Sequence, residues 1–276
     1  MKDHGQTVVL LTGASSGIGR ATAQQLLDRG YVVYAAARRV EKMEDLEQVG
    51  AQILEMDVTD DASMVQGIER IAQQHGGVDV LINNAGYGSY GAIEDVDMAE
   101  AKRQFEVNVF GLARLTQLVL PHMRQNRFGK VVNITSMGGK IYTPLGGWYH
   151  ATKFAVEALS DCLRVETKSF GIDVIVVEPG GIKTEWGGIA GEHLLKTSGK
   201  TTYADLAEKT ARMFKDTYEN PKVSEPEVIA ETILNAITTR KPKTRHVAGH
   251  LARTFLFLRR VLSDKMFDRL LLSSLK

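Results

Sequence analysis

The sequence predicts an α/β fold, a doubly wound parallel sheet in a single domain. A helical lid and a C-terminal amphipathic helix complete it. Two observations carry this. Short, continuously apolar runs alternate with helical patterns along most of the 276 residues, the mark of a parallel sheet covered on both faces. The first run ends in Thr12-Gly13-Ala14-Ser15-Ser16-Gly17-Ile18-Gly19, a glycine-rich turn between a strand and a helix.

The elements follow in order. Residues 8–11 read as a buried strand, and 18–29 as a helix stopped by Gly30. Strands are expected over 32–36 and 52–56, a helix over 63–75 ended by Gly76-Gly77, and a fourth strand over 78–82. Helical periodicity runs from Met98 through Met123. A fifth strand over 130–134, a long helix over 148–170 and a sixth strand over 174–177 come next. Residues 182–222 interrupt the alternation with a Gly-rich stretch (Gly187, Gly188, Gly191), then a helical pattern over 203–218. Such insertions beyond the carboxyl ends of parallel strands hold ligands, so this one reads as a substrate lid. Ser224 and Glu227 form a capping-box pattern before the next helix, and 245–249 reads as a final strand. Right-handed crossovers wind these elements into a Rossmann-like sheet spanning residues 1–250, with 251–276 as an extension.

Charge and cysteine content narrow the partners. The net charge of +1 gives no reason to expect nucleic acid. It conceals an asymmetry: residues 240–276 hold ten Lys/Arg against two acids, net +8, leaving −7 elsewhere. The single cysteine, Cys162, excludes an intrachain disulfide and fits a reducing compartment. Met1 to Gln6 lead into an apolar run too short for a membrane span and lacking signal-peptide form, so a cytoplasmic location is expected. Asn133-Ile134-Thr135 is read as a chance sequon, and no Cys/His/Asp cluster has metal-ligand spacing.

The glycine turn has the chemistry of a phosphate cradle. Gly13, Gly17 and Gly19 let backbone N–H groups approach a pyrophosphate, and the following helix N-terminus favours its charge. The second strand ends without the acid that an NAD site places against the adenosine ribose. Ala37 stands there, followed by Arg38 and Arg39. Guanidinium suits a ribose 2′-phosphate, so NADP(H) is the expected cofactor, with Arg38 its main contact. Far downstream, Tyr149 and Lys153 lie four residues apart and share one helix face. An ammonium near a phenol favours the phenolate and lowers its pKa, which would prepare Tyr149 as a general acid/base for carbonyl/alcohol exchange. His150, next to Tyr149, is read as structural or interfacial.

In this order the motifs resemble the short-chain dehydrogenase/reductase family, in its single-domain branch. The resemblance covers about residues 7–250 and adds Asp57-Val58, Asn83-Asn84-Ala85-Gly86, Asn108, Ser136 and Pro179-Gly180-Gly181 through Thr184. It implies that Ser15, Ser16 and Ile18 complete the cradle with the three glycines. Asp57 and Val58 would meet the adenine. Asn83, Ala85 and Gly86 would line the adenosine ribose, while Asn84, also a cofactor-site residue, braces the central sheet. Pro179, Gly180, Ile182 and Thr184 would flank the nicotinamide. Ser136 would hydrogen-bond the substrate oxygen, Lys153 would also hold the nicotinamide ribose, and Asn108 would kink its helix and anchor a water relay behind the lysine. Among relatives the chain is similar to hydroxysteroid and retinol dehydrogenase-like members, through its Tyr149-His150-Ala151-Thr152-Lys153 form and basic tail.

The expected activity is NADP(H)-dependent interconversion of a carbonyl and a primary or secondary alcohol. The alternative is a non-catalytic NADP(H) sensor or scaffold on the same fold. Trp186, Ile189, Leu194, Leu195, Met213, Phe214 and Tyr218 on the lid, with Met137, Ile141, Tyr142, Leu145 and Trp148, suggest a small hydrophobic substrate. The helix carrying Tyr149 bears Ala151, Phe154, Ala155, Ala158, Leu159 and Cys162, a face suited to a homodimer or homotetramer. The basic amphipathic helix over 250–275 admits three partners: a membrane surface, the body of the protein or a sister subunit.

Overall fold

The computed structural model describes residues 6–218 and 220–275. Met1–Gly5, read above for a leader, and Lys276, counted in the basic tail, lie outside the described residues. Seven parallel strands form one sheet: β1 (Val8–Thr12), β2 (Val32–Ala37), β3 (Gln52–Glu55), β4 (Val80–Asn83), β5 (Gly129–Ile134), β6 (Ile172–Pro179) and β7 (Arg245–Ala248). Their order is β3-β2-β1-β4-β5-β6-β7. The direction of winding reverses between β1 and β4, which pair through Val9–Val80 to Leu11–Ile82. A crevice beyond the carboxyl ends of strands at such a reversal is where this architecture holds ligands.

Apolar cores lie on both faces. On one, Leu11, Val33, Ile82, Val132 and Ile175 pack on helices α1 (Gly17–Asp28) and α9 (Glu227–Thr238). On the other, Leu10, Tyr34, Leu81, Val131 and Val174 pack on α3 (Asp61–His75) and α5 (Leu112–Gln125). Alternate residues of each strand thus serve opposite cores, which explains why the strands read as unbroken apolar runs. Helix α3 starts two residues before Ser63, where the Asp60 carboxylate accepts from the backbone N–H of Ala62 and Ser63. Gly76, at φ +83°, ends it in the left-handed conformation that glycine tolerates.

Several expectations need correction. The periodic stretch from Met98 is three segments: α4 (Met98–Phe105), a π-helical turn over Glu106–Gly111, then α5. A short helix α2 (Glu44–Gln48) precedes β3. The long helix is α6 (Gly147–Thr167), which passes into a 3-10 turn over Lys168–Phe170. The Gly-rich start of the insertion is itself helical, α7 (Trp186–Ser198), and lies against α8 (Ala204–Tyr218). A Cβ on Gly187 would stand 2.3 Å from the Tyr218 ring, so the glycine serves close helix packing rather than loop freedom. Ser224 forms no capping box. It bridges Ile182 through its backbone, and Pro226 occupies the α9 cap position without a side-chain bond. The tail is two helices, α10 (Ala252–Val261) and α11 (Asp264–Ser273), because Leu262 and Ser263 turn to extended backbone. Phe267 and Leu271 of α11 bury themselves against Ile141 of the body. Asn133 is buried in the sheet, where its side chain donates to Ser160 and accepts from Asn83, so its sequon offers nothing to a glycan.

Candidate active site

The glycine turn emerges from β1 at the reversal point. Gly13 and Gly17 take φ of +68° and +51°, which favour glycine. A Cβ on Gly19 would lie 2.2 Å from the Gly13 carbonyl oxygen. Ser16 sits at the α1 cap position with no side-chain cap bond, and the first turn of α1 carries no acid. Its leading N–H groups therefore face the turn without a competing carboxylate, as a pyrophosphate needs. Asn84 holds this turn: its Nδ2 donates to the carbonyls of Thr12 (3.0 Å) and Gly13 (3.2 Å). The Thr12 hydroxyl oxygen accepts from the backbone N–H of both Asn84 and Ala85. Asn83 also braces the central sheet, its Nδ2 donating to Asn133 Oδ1 and Thr116 Oγ1. Asn84 thus ties the end of β4 to the end of β1, as a brace of the central strands would, and Asn83 adds a second tie across β4 and β5.

Arg38 and Arg39 are exposed just past β2. Arg38 Nη1 lies 3.9 Å from Asp57 Oδ2, so the cation and the acid expected at the adenine end adjoin each other. Asp57 also accepts from the Thr59 N–H and hydroxyl. The Val58 carbonyl lies where a Cβ on Gly111 would approach to 2.3 Å, so Val58 meets the π-helical turn.

At the other end, β5 delivers Ser136 to the cap of a 3-10 turn (Met137–Gly139), where its hydroxyl accepts from the Gly138 N–H. Helix α6 brings Tyr149 and Lys153 beside it. The Ser136 hydroxyl stands beside the Tyr149 phenol and favours its ionised form. Lys153 Nζ donates to the Ile134 carbonyl (3.0 Å) and lies 6.0 Å from the Tyr149 ring centroid. Burial dominates both groups. It pushes the phenol up to about 12, the Ser136 hydroxyl opposing. It pulls the Lys153 ammonium down to about 8, the Glu157 carboxylate opposing. The lowered phenol pKa expected from the Tyr149/Lys153 spacing is therefore not found, since aromatic rings rather than water surround the hydroxyl-bearing ring. Tyr90, His150 and Trp186 stand 5.7, 5.5 and 5.2 Å from it by centroid.

Asn108 lies within the π-helical turn. Its Oδ1 accepts from the Tyr87 N–H, and its Nδ2 donates to the Tyr87 carbonyl and the Thr152 hydroxyl. A Cβ on Gly86 would sit 3.1 Å from Asn108 Oδ1 and 3.7 Å from Lys153 Nζ, so the segment after β4 passes directly over both. His150 is a neutral clamp. Its Nε2 accepts from the Thr143 N–H, which leaves Nδ1 to donate to the Gly138 carbonyl, and burial lowers its pKa. It ties the Ser136 turn to the 143 loop, as the structural reading required, although its ring also touches Tyr149.

Past β6, Gly180 donates to the Ala248 carbonyl, and a Cβ there would strike the His250 carbonyl oxygen. The Ile182 side chain is buried in the core, so only its backbone is available to a ligand. The Thr184 methyl packs 3.1 Å from where a Gly17 Cβ would be, which brings the lid base against the glycine turn. Trp186, Leu194, Met213, Phe214 and Tyr218 gather with Leu145 around Tyr149, whereas Ile189 and Leu195 face outward. Met137, Ile141 and Tyr142 pack under the tail helices, and Trp148 turns toward Phe105. Tyr90 and Glu157 were not anticipated. Tyr90 followed no pattern beyond its nearness to the Asn83–Gly86 turn, but Glu157 stands four residues beyond Lys153 on the same face. Glu157 accepts from Thr135 and pairs with Arg245 and Lys140. Among the described residues no group of three or more His, Cys, Asp or Glu could hold a metal, and no helix is long and apolar enough to cross a membrane.

A short chain dehydrogenase family model matches residues 7–193. This protein belongs to the short-chain dehydrogenase/reductase family. Its fold is the Rossmann-like fold of that family, and it is an oxidoreductase by membership. A 3-ketodihydrosphingosine reductase of Bacteroides thetaiotaomicron is 36% identical over 248 residues, 89% of each chain. An NADPH-dependent 3-dehydrocapnine reductase of Ornithobacterium rhinotracheale is 34% identical over 279 residues, 97% of this chain and 96% of that one. The structure of a short-chain dehydrogenase from Streptomyces avermitilis superposes with a TM-score of 0.81 at 34% identity, over 96% of this chain and 94% of that one.

Proposed function

We propose that this short-chain dehydrogenase is an NADP(H)-dependent reductase of hydrophobic carbonyl compounds, with Tyr149 as the proton donor. The observation that carries the reading is the buried Tyr149 phenol under an aromatic lid, with Ser136 beside it and the Lys153 ammonium 6.0 Å from its ring centroid. A glycine cradle that a Cβ would fill lies at the sheet's reversal point. Bound nicotinamide would supply the hydride. Ser136 orients the substrate oxygen by a hydrogen bond. Tyr149 remains protonated at neutral pH, its phenol being pushed up to about 12, and can release that proton to the oxygen as negative charge builds there. Lys153 keeps a cation beside this exchange, and Asn108 positions the Gly86–Tyr87 backbone over it. A non-catalytic sensor has no use for this convergence of Ser136, Tyr149 and Lys153.

Arg38 supports NADP(H) over NAD(H). It is exposed, and no acid occupies the Ala37 position. The relative from Ornithobacterium rhinotracheale is named as NADPH-dependent. The rings of Tyr90, Trp186, Phe214 and Tyr218 beside Tyr149 support an apolar substrate. Reduced-nicotinamide absorbance, followed against a panel of aliphatic, aromatic and long-chain ketones and aldehydes, tests the reading. Turnover faster with NADPH than NADH is expected. NADPH binding without turnover of any apolar carbonyl would favour the sensor.

For assembly, we propose a homodimer or homotetramer through α6. Ala151, Phe154, Ala158, Leu159, Cys162 and Val165 are exposed together along its outer face. Light scattering should show an oligomer that Leu159→Arg reduces to smaller species, whereas a monomeric wild type would refute it.

A further inference from the structure

The tail helices bury one face and expose another of mixed chemistry. The inward positions Phe255 and Leu258 of α10, with Leu262 just past it, pack toward Met137 and Ile141. Arg253, Phe257, Arg260 and Val261, spaced by four, three and one, share the opposite, outward face. In α11 Phe267 and Leu271 point inward, while Lys265, Met266, Arg269 and Leu272 are exposed. Phe257, Val261, Met266 and Leu272 are 63, 56, 53 and 54% exposed, too large and too consistent for residues that merely rim a core. The acids of this region are engaged: Asp264 pairs with Arg259, and Asp268 accepts from the Tyr142 hydroxyl. The outward positions therefore offer four cations and four large apolar side chains, with no carboxylate among them.

We propose that this outward face docks on an anionic lipid surface. Charge selects the partner. A second copy meeting this face with its own tail, about a two-fold axis, would present the same cations, and like charges repel, whereas acidic headgroups attract them. Phe257, Val261, Met266 and Leu272 would enter the boundary between headgroup and acyl chain while the arginines and Lys265 stay with the phosphates. The inward face of the same helices covers Met137, Ile141 and Tyr142, in the segment that follows Ser136. Docking therefore sets the catalytic end near lipid, a placement whose use for an apolar substrate rests on the proposed function.

The test is vesicle cosedimentation of the full chain, which needs no substrate and so stands or falls separately from the reductase assay. Vesicles are an equal mixture of phosphatidylcholine and phosphatidylserine, or phosphatidylcholine alone. Binding to the anionic vesicles only is expected, weakened by high salt. Arg260→Glu with Lys265→Glu, and separately Phe257→Ser with Met266→Ser, should each weaken it by about tenfold or more. All four side chains are at least partly solvated, and an unchanged melting temperature verifies the fold. Equal binding to both vesicle types, no binding, or binding indifferent to the serine variant overturns the proposal. So does dissociation of an oligomer by the serine variant without change in vesicle binding, which would assign the face to a second copy.

Discussion

The phenol of Tyr149 is packed among rings, with its neighbouring ammonium held by the Ile134 carbonyl, and burial therefore sets the proton affinity of both groups. For Lys153 the sign follows directly. Its folded pKa of about 8 lies below the ordinary 10.5. The charged form is thus a burden on the fold below about pH 8, relieved as pH rises from there toward the unfolded value. Reductase activity that needs the cation should fall as pH rises through about 8. Glu157 opposes the burial effect, so Glu157→Gln should move that alkaline limb to lower pH. A pH profile of kcat for the two proteins checks this, and an unmoved limb would separate Glu157 from Lys153. Asn84→Ala should lower stability by roughly 1–2 kcal/mol and weaken NADPH binding, since it releases the Thr12 and Gly13 carbonyls. Chemical denaturation and NADPH titration measure both effects. The residue types at these positions were legible because the motifs come in order. That Asn83 also ties β4 to β5 depended on its register with Asn133, and the phenol's surroundings depended on a lid that packs from far along the chain.

Among the elements, the lid shows what periodicity can and cannot convey. The amphipathic pattern of α8 was readable, whereas the three glycines of α7 masked a helix whose purpose is close approach. Gly187→Val would force a branched side chain into the Tyr218 ring. We expect it to separate α7 from α8 and raise KM for apolar carbonyls severalfold, with NADPH affinity little changed. Steady-state kinetics beside NADPH titration test this, and an unaltered KM would remove the lid from substrate binding. The break between α10 and α11 had a local signal, Ser263-Asp264 at a helix start, that the continuous apolar periodicity concealed. The π-helical turn had no signal in the apolar periodicity, and only Asn108, through the family resemblance, marked a kink there. Its Gly111 answers to the Val58 carbonyl of a distant loop.

For the whole molecule, alternation of apolar runs with helical patterns was enough to place all seven strands, because a parallel sheet buried on both faces leaves few other readings. The strand order then brings the turns after β1, β4, β5 and β6 to one edge, which unites Gly13, Asn84, Ser136 and Thr184 from across the chain. The docking of the tail onto the body was not legible, since charge patterning admitted three partners. Phe267 is fully buried there, so Phe267→Ala should lower stability by about 3–5 kcal/mol if the tail unfolds with the body. A single thermal transition shifted downward checks it, and a separate early transition would mark the tail as an independent unit. The most direct test of the central claim is Tyr149→Phe, compared with wild type for NADPH binding and for carbonyl turnover on the best substrate found. The account predicts NADPH affinity within about twofold of wild type and turnover reduced by about 10²-fold or more, the usual range for losing a general acid. Turnover retained by the phenylalanine variant would contradict it.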